Sequence, residues 1–342
     1  MLKKMIMTLV AFVLMTVTAL SAKPVIIKFA TLAPDGSTWM KVMRDFVRDV
    51  KTETNGQVIF KIYPGGVQGD EKDVLRKIRI NQLQGAGFTG VGMGTILPEV
   101  RILDTPYLFH NKREVDYIIN KFNDYFADRF EKKGFVLIGW AEVGYVYIFT
   151  NQDVKTLDDF KHLKIWMWEG DPVAQVTFKE FDVNPIPLSV TDVLTSLQTG
   201  LINTVYTSPL ACIVLQWFTH LKYVSDIPLT NSMGAVLISK RTFQKIPEEY
   251  QQLVKKKGYA YFRKLTEISR KDNAASLQKM KAQGMQTLHL RTPENLKEFQ
   301  EIGDRTRRDL VGKFFDQSLV DQIQQALAEF RQKEKAGGGK NK

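Results

Sequence analysis

Two rhythms of hydrophobic and polar positions run along this chain. Val25 to Ala30 (VIIKFA) is an apolar run of strand length, and Ser37-Thr38 precedes Trp39 to Glu53, where Trp39, Val42, Met43, Phe46 and Val50 recur at helical spacing. A hydroxyl at that point can accept a hydrogen bond from the free amides of the first turn, so the pattern predicts a capped helix. Asn55-Gly56 signals a turn, and Val58 to Tyr63 alternates as a second strand. Asp70, Glu71 and Asp73 then open another helical stretch, where acidic groups suit the positive end of the helix dipole. Strand, helix, strand and helix in this order predict an α/β domain with a partly parallel sheet.

The middle of the chain predicts a second domain. Phe135 to Trp140 and Tyr145 to Phe149 read as buried strands, Thr156 as the N-cap of a helix with Asp159 at its third position, and Leu163 to Trp168 as the next strand. Asn184-Pro185-Ile186-Pro187 cannot lie in a central strand, because proline has no ladder donor. Thr191 to Gln198 is a helix stopped by Gly200, and Leu237 to Lys240 is a further strand. Glu248 to Ala282 forms one long amphipathic helix, whose length at 1.5 Å per residue fits a span across both domains.

Lys3 and Lys4 precede an apolar run, Met5 to Leu20, which ends in Ser21-Ala22 before Lys23. These are the three regions of a signal peptide over residues 1–22, and about 16 apolar residues fall short of the roughly 20 that a membrane-spanning helix needs. The expected location is the periplasm. Cys212 is the sole cysteine, which leaves no intramolecular disulfide and no lipid-attachment site behind the signal. The remainder, about 320 residues, is enough for two domains with their own cores. The net charge is +11, but the lysines alternate with glutamates on helix faces, and no basic motif interleaved with aromatics is present. Nucleic acid is therefore not an expected partner. Arg331 to Lys342 (RQKEKAGGGKNK) has no apolar residue beyond Ala336 and is expected to be a disordered tail.

Gly85 to Gly90 spells G-x-G-x-x-G, with Asp104 downstream as a ribose-binding acid. That motif must follow a strand and open a helix, whereas a helical pattern precedes this one and Val91-Gly92-Met93-Gly94 is too glycine-rich for a helix start. The expectation is a short strand entering a loop, with glycines that let backbone approach a ligand or a neighbouring strand. His110, His162, His220 and His289 show no metal-ligand spacing and no G-x-S-x-G is present, so no metal, no cofactor and no enzymatic activity are predicted.

Five stretches together resemble the DctP-type solute-binding proteins of TRAP transporters. They are PGGVQGDEKDVL, ILDTPYLF, FTNQDVKTLDDFKHLKI, PIPLSVTDVLTSLQTGLIN and the helix beginning KIPEEYQQLVKK, in the family's order and spacing. The resemblance implies the two-lobed α/β periplasmic binding protein fold, with crossing strands and a long interdomain helix. Lobe I would comprise 23–148 plus 234–275 and lobe II 149–233 plus 276–330, with 331–342 as the tail. It further implies a cleft that closes by a hinge over one small molecule, delivery to the membrane subunits of a TRAP permease, and, as in some such systems, a TPR-type lipoprotein partner.

The site departs from the family pattern. Where the resemblance places an arginine five residues before the asparagine of "TN", this chain has Val146, and where it places the main carboxylate-clamping arginine, this chain has Trp166. Thr207 replaces an asparagine, Val190 an aromatic residue, and Thr89 a polar residue of the first lobe. Guanidinium holds a carboxylate in a bidentate pair, and a buried carboxylate without one costs several kcal/mol, so the cleft is expected to reject small acids. Trp166, Trp168, Tyr145 and Tyr206 each offer about 150–250 Å² of aromatic surface. With Leu32 and Phe88 they complete a candidate site for a small, largely apolar ligand. Strand alternation places Trp166 and Trp168 on one side, and it forbids Tyr145 and Val146 from both facing the cleft. The competing function on the same scaffold is an interaction protein that docks a partner without binding a ligand.

Overall fold

A computed structural model describes residues 23–338. The leader predicted for residues 1–22 lies outside the described residues. Among them the strands run in chain order as β1 Val25–Ala30, β2 Val58–Tyr63, β3 Gly85–Thr89, β4 Phe135–Trp140, β5 Gly144–Thr150 and β6 Trp166–Trp168. They continue as β7 Ile186–Leu188, β8 Thr204–Thr207, β9 Tyr223–Ser225, β10 Thr230–Ser232, β11 Gly234–Ser239 and β12 Gln286–Leu288.

The first lobe is built on a sheet in the order β2-β1-β3-β11-β4, with β1 parallel to β2 and β3 and β11 antiparallel to its neighbours. A largely parallel sheet has to be covered on both faces. On one face the helix Thr38–Glu53, capped by Ser37 as its sequence predicts, places Met43, Phe46 and Val50 in one core with Ile27, Phe29 and Val58. On the other, Val74, Leu75 and Ile78 share a core with Phe122, Phe126 and Phe130 of the helix Lys112–Lys132.

The second lobe carries the sheet β10-β5-β9-β12, with β8 also pairing with β5, and a two-stranded parallel ladder of β6 and β7. Pro187 lies in β7, which has a partner on one edge only, so its missing donor breaks no ladder. The chain crosses between the lobes from β4 to β5 and from β10 to β11. The helix Glu248–Ala282, 35 residues and so about 52 Å long, makes a third connection. Its Val254, Phe262 and Leu265 belong to the first-lobe core and its Met280 to the second-lobe core around Phe149, Cys212 and Val224.

Four expectations need correction. Thr156 does not cap an α-helix: a 3-10 turn, Asp158–His162, follows, and the Asp159 carboxylate accepts from the amides of Lys155 and Thr156 at 2.8 Å each. Of Leu163 to Trp168 only the last three residues form a regular strand, with Ile165 bridging to Thr204. The tail is not irregular where it is described, because the helix Gln317–Gly338 continues through Arg331. Arg331 donates to the buried Glu114 carboxylate at 2.7 Å and to the Leu108 carbonyl at 3.0 Å, distant partners that composition cannot reveal. The same helix places Leu319, Val320, Ile323 and Leu327 in the core of Phe122 and Phe126, so residues 317–330 pack on the first lobe and not on the second.

Candidate functional site

Between the lobes lies a cavity of about 510 Å³, open to solvent at a mouth. Leu32, Phe88 and Thr89 line it from the first lobe, and Val146, Trp166, Trp168, Val190, Tyr206 and Thr207 from the second. Tyr145 does not line it. On β5 it stands opposite Asn231 of β10 with its hydroxyl buried and without a partner among the described residues, while its neighbour Val146 takes the cavity face, as the two-residue period of a strand requires.

Trp166 is only 2% exposed although it lines the cavity. Its ring stacks on Tyr206 at 5.2 Å between centroids and meets Trp217 edge-on at 5.3 Å, and its indole N–H donates to the Leu188 carbonyl at 3.0 Å. Trp168 lies beside it, 6.0 Å away. Trp39 and Trp217, which the sequence reading did not single out, extend the aromatic lining.

The charged groups of the cavity were not among the ligand-site residues expected from sequence, although Asp104 and Glu71 were noted there in other roles. Arg101 and Asp104 are both 5% exposed at the side chain and pair at 2.8 Å, and Arg101 reaches across to Asp171 of the second lobe at 2.6 Å. Asp171 uses the same oxygen to cap the helix Pro172–Glu180 at the amides of Val173 and Ala174. Burial opposes the charge of Arg101, but Asp171 and Asp104 outweigh it and hold its pKa above the usual value. Burial pushes Asp104 up to about 6 against the pull of Arg101 and the Met233 amide. A signal for this pair existed: Arg101 and Asp104 are charges three residues apart inside the apolar run VRILDTPYLF.

Glu71 is buried at the first position of the helix Glu71–Arg79. Its carboxylate accepts from the Thr89 amide at 2.7 Å, the Thr89 hydroxyl at 2.9 Å and the Gly92 amide at 2.7 Å. Burial pushes it up to about 7; the bonds from Thr89 and Gly92 work the other way, and the neighbouring Asp70 adds to the rise.

These contacts correct the reading of the glycine segment. Gly90–Ile96 is a helix, capped by Thr89 and fed directly by β3. Its glycines are there for close approach: a methyl on Gly90 would collide with the Arg101–Asp104 pair, and one on Gly92 with Phe88 and Glu71. The Glu71 carboxylate occupies amides of the first turn, where a dinucleotide would place its phosphates, so the nucleotide reading is ruled out by an internal anion.

Bonds also join the lobes at the cavity mouth. Asp70 caps the helix Glu71–Arg79 in the first lobe, and its carboxylate accepts from Trp168 Nε1 at 3.0 Å, the Ser189 hydroxyl at 2.6 Å and the Val190 amide at 3.2 Å, all in the second lobe.

Two α/β lobes, three crossings and a cleft between them define a solute-binding protein of the hinged, two-lobed class. The chain belongs to the DctP family, bacterial extracellular solute-binding protein family 7, whose model matches residues 29–312, and it is periplasmic. A solute-binding protein of Chromohalobacter salexigens is 29% identical over 165 residues, which cover 48% of this chain and 49% of that protein; the matched part thus spans about half the relative's length. A TRAP periplasmic solute binding protein of Pseudomonas putida F1 with bound D-glucuronate superposes with a TM-score of 0.78 at 24% identity, over 87% of this chain and 96% of that one. Another, from Desulfovibrio salexigens with bound orotic acid, gives 0.83 at 18% identity, over 89% and 99%.

Proposed function

We propose that this chain is the periplasmic receptor of a TRAP-type transporter, binding a small, largely apolar ligand without a carboxylate and handing it to the membrane permease. Membership of the family and the cavity between the lobes support the receptor role. The ligand class rests on one observation: Arg101 is the only lysine or arginine among the lining residues, and Asp104 and Asp171 already occupy it at 2.8 and 2.6 Å. The solved relatives described above hold D-glucuronate and orotic acid. In this chain Val146 and Trp166 stand at the positions where the family resemblance expects arginines. A ligand carboxylate would enter among carboxylates with no free cation to meet it, a penalty of several kcal/mol.

Calorimetry of the purified protein with D-glucuronate, orotate and C4-dicarboxylates tests this. The expected result is no binding tighter than about 1 mM, or roughly −4 kcal/mol. Micromolar affinity for any of these acids refutes the proposal. Mass spectrometry of a co-purified molecule is expected to show one that lacks a carboxylate.

A further inference from the structure

We infer that the ligand is an organic cation, a largely apolar molecule whose ammonium-like group lies between the Glu71 carboxylate and the aromatic walls of the cavity. The inference rests on the reading that the cleft binds a solute, and it deepens that reading by assigning a charge to the ligand.

The charge inventory of the cavity leads to it. Glu71, Asp104, Glu142 and Asp171 line it, against one cation, Arg101. Arg101 is shared between Asp104 and Asp171. Arg270 of the long helix meets Glu142, Nε to Oε2 at 2.9 Å, and is itself shared with Asp116 at 2.7 Å. Among the described residues Glu71 has no cation partner: its three partners are two amides and a hydroxyl, and the charge beside it is that of Asp70. A buried carboxylate so placed is unfavourable until a counter-charge arrives, and a ligand cation supplies one.

The walls suit such a group. Ring faces of tryptophan and tyrosine attract a cation within about 6 Å of the centroid, Trp most strongly, and quaternary ammonium groups are recognised by cages of such rings. Trp39, Trp166, Trp168, Tyr206 and Trp217 all line the cavity, and Phe88 lies against the Glu71 carboxylate, since a methyl on Gly92 would strike both. A bare metal ion fits poorly, because among the described residues no three His, Cys, Asp or Glu side chains converge as ligands. An organic cation needs no inner coordination shell, and its carbon surface gains from the same rings.

The test compares charged and neutral molecules of one shape: choline against 3,3-dimethylbutan-1-ol, and benzyltrimethylammonium against neopentylbenzene, by titration of tryptophan fluorescence in the wild-type protein. Each cation is expected to bind at least tenfold more tightly than its neutral isostere. Calorimetry at pH 7 in buffers of different ionisation enthalpy should show proton release with the cation, because Glu71 titrates near 7 and a cation draws its proton off. Glu71→Gln should reduce the preference for the cation below threefold. Equal or tighter binding of the neutral isosteres overturns the cation assignment while leaving the apolar, carboxylate-free reading intact. Binding of neither member of a pair overturns the assignment as well. Binding of D-glucuronate or orotate would instead overturn the carboxylate-free ligand class from which the assignment starts, and would leave the receptor role standing.

Discussion

Trp166 is at once a wall of the cavity and a member of the second-lobe core. From sequence it stands out only as an indole in the place of an arginine, which suggests a side chain that could be truncated at the expense of affinity alone. The stack on Tyr206, the edge contact with Trp217 and the bond to the Leu188 carbonyl show that its neighbours depend on it for packing. Trp166→Ala is therefore expected to lower the stability of the ligand-free protein by about 3–5 kcal/mol, the range for a buried aromatic, as read from the urea midpoint. A loss below about 1 kcal/mol would show that the indole serves the cavity alone. Glu71 illustrates the opposite limit of legibility. Its position suggests an exposed acid favourable to the helix dipole, and only the approach of Thr89 and Gly92, 18 and 21 residues away, turns it into a buried carboxylate.

At the level of elements, periodicity carried most of the information. The ends of β1, β2, β4 and the helix Glu248–Ala282 coincide with the limits of their patterns, because the strands are apolar runs of strand length and the helix buries positions that repeat every 3.6 residues. Gly90–Ile96 was illegible for the converse reason. Three of its seven residues are glycine, an intrinsically poor helix composition, and it is held by tertiary contacts with Glu71 and Arg101. The C-terminal helix was hidden differently, since its apolar stripe is visible but the lobe that receives it is not. Its Ile323 is fully buried among phenylalanines of the first lobe. Ile323→Ala is expected to reduce stability by about 2–5 kcal/mol in chemical denaturation, and helix Gln317–Gly338 should show the first added amide exchange. A neutral substitution would mean that the helix rests on the lobe without stabilising it.

For the whole molecule, the lobes are tied across the cleft by the protein's own groups. Asp70 receives three bonds from the second lobe, and Arg101 bridges to Asp171 beneath it. Bonds to a charged acceptor contribute about 1.5–3 kcal/mol each when buried and less where water competes, so Asp70 accounts for roughly 3 kcal/mol, about a hundredfold in the balance between closed and open forms. In small-angle scattering Asp70→Ala should show a larger radius of gyration than the wild type. Equal radii for the two would exclude Asp70 as the determinant of closure. A receptor whose lobes are bonded to each other must break those bonds to admit solute, and this affects the traffic of the transporter proposed here. Solute can enter only during brief openings, so the apparent dissociation constant rises in inverse proportion to the open fraction. A molecule held shut without solute would show the permease the same outline as a loaded one and compete for the docking place. Uptake should then pass through an optimum and decline as receptor is added in excess over cargo.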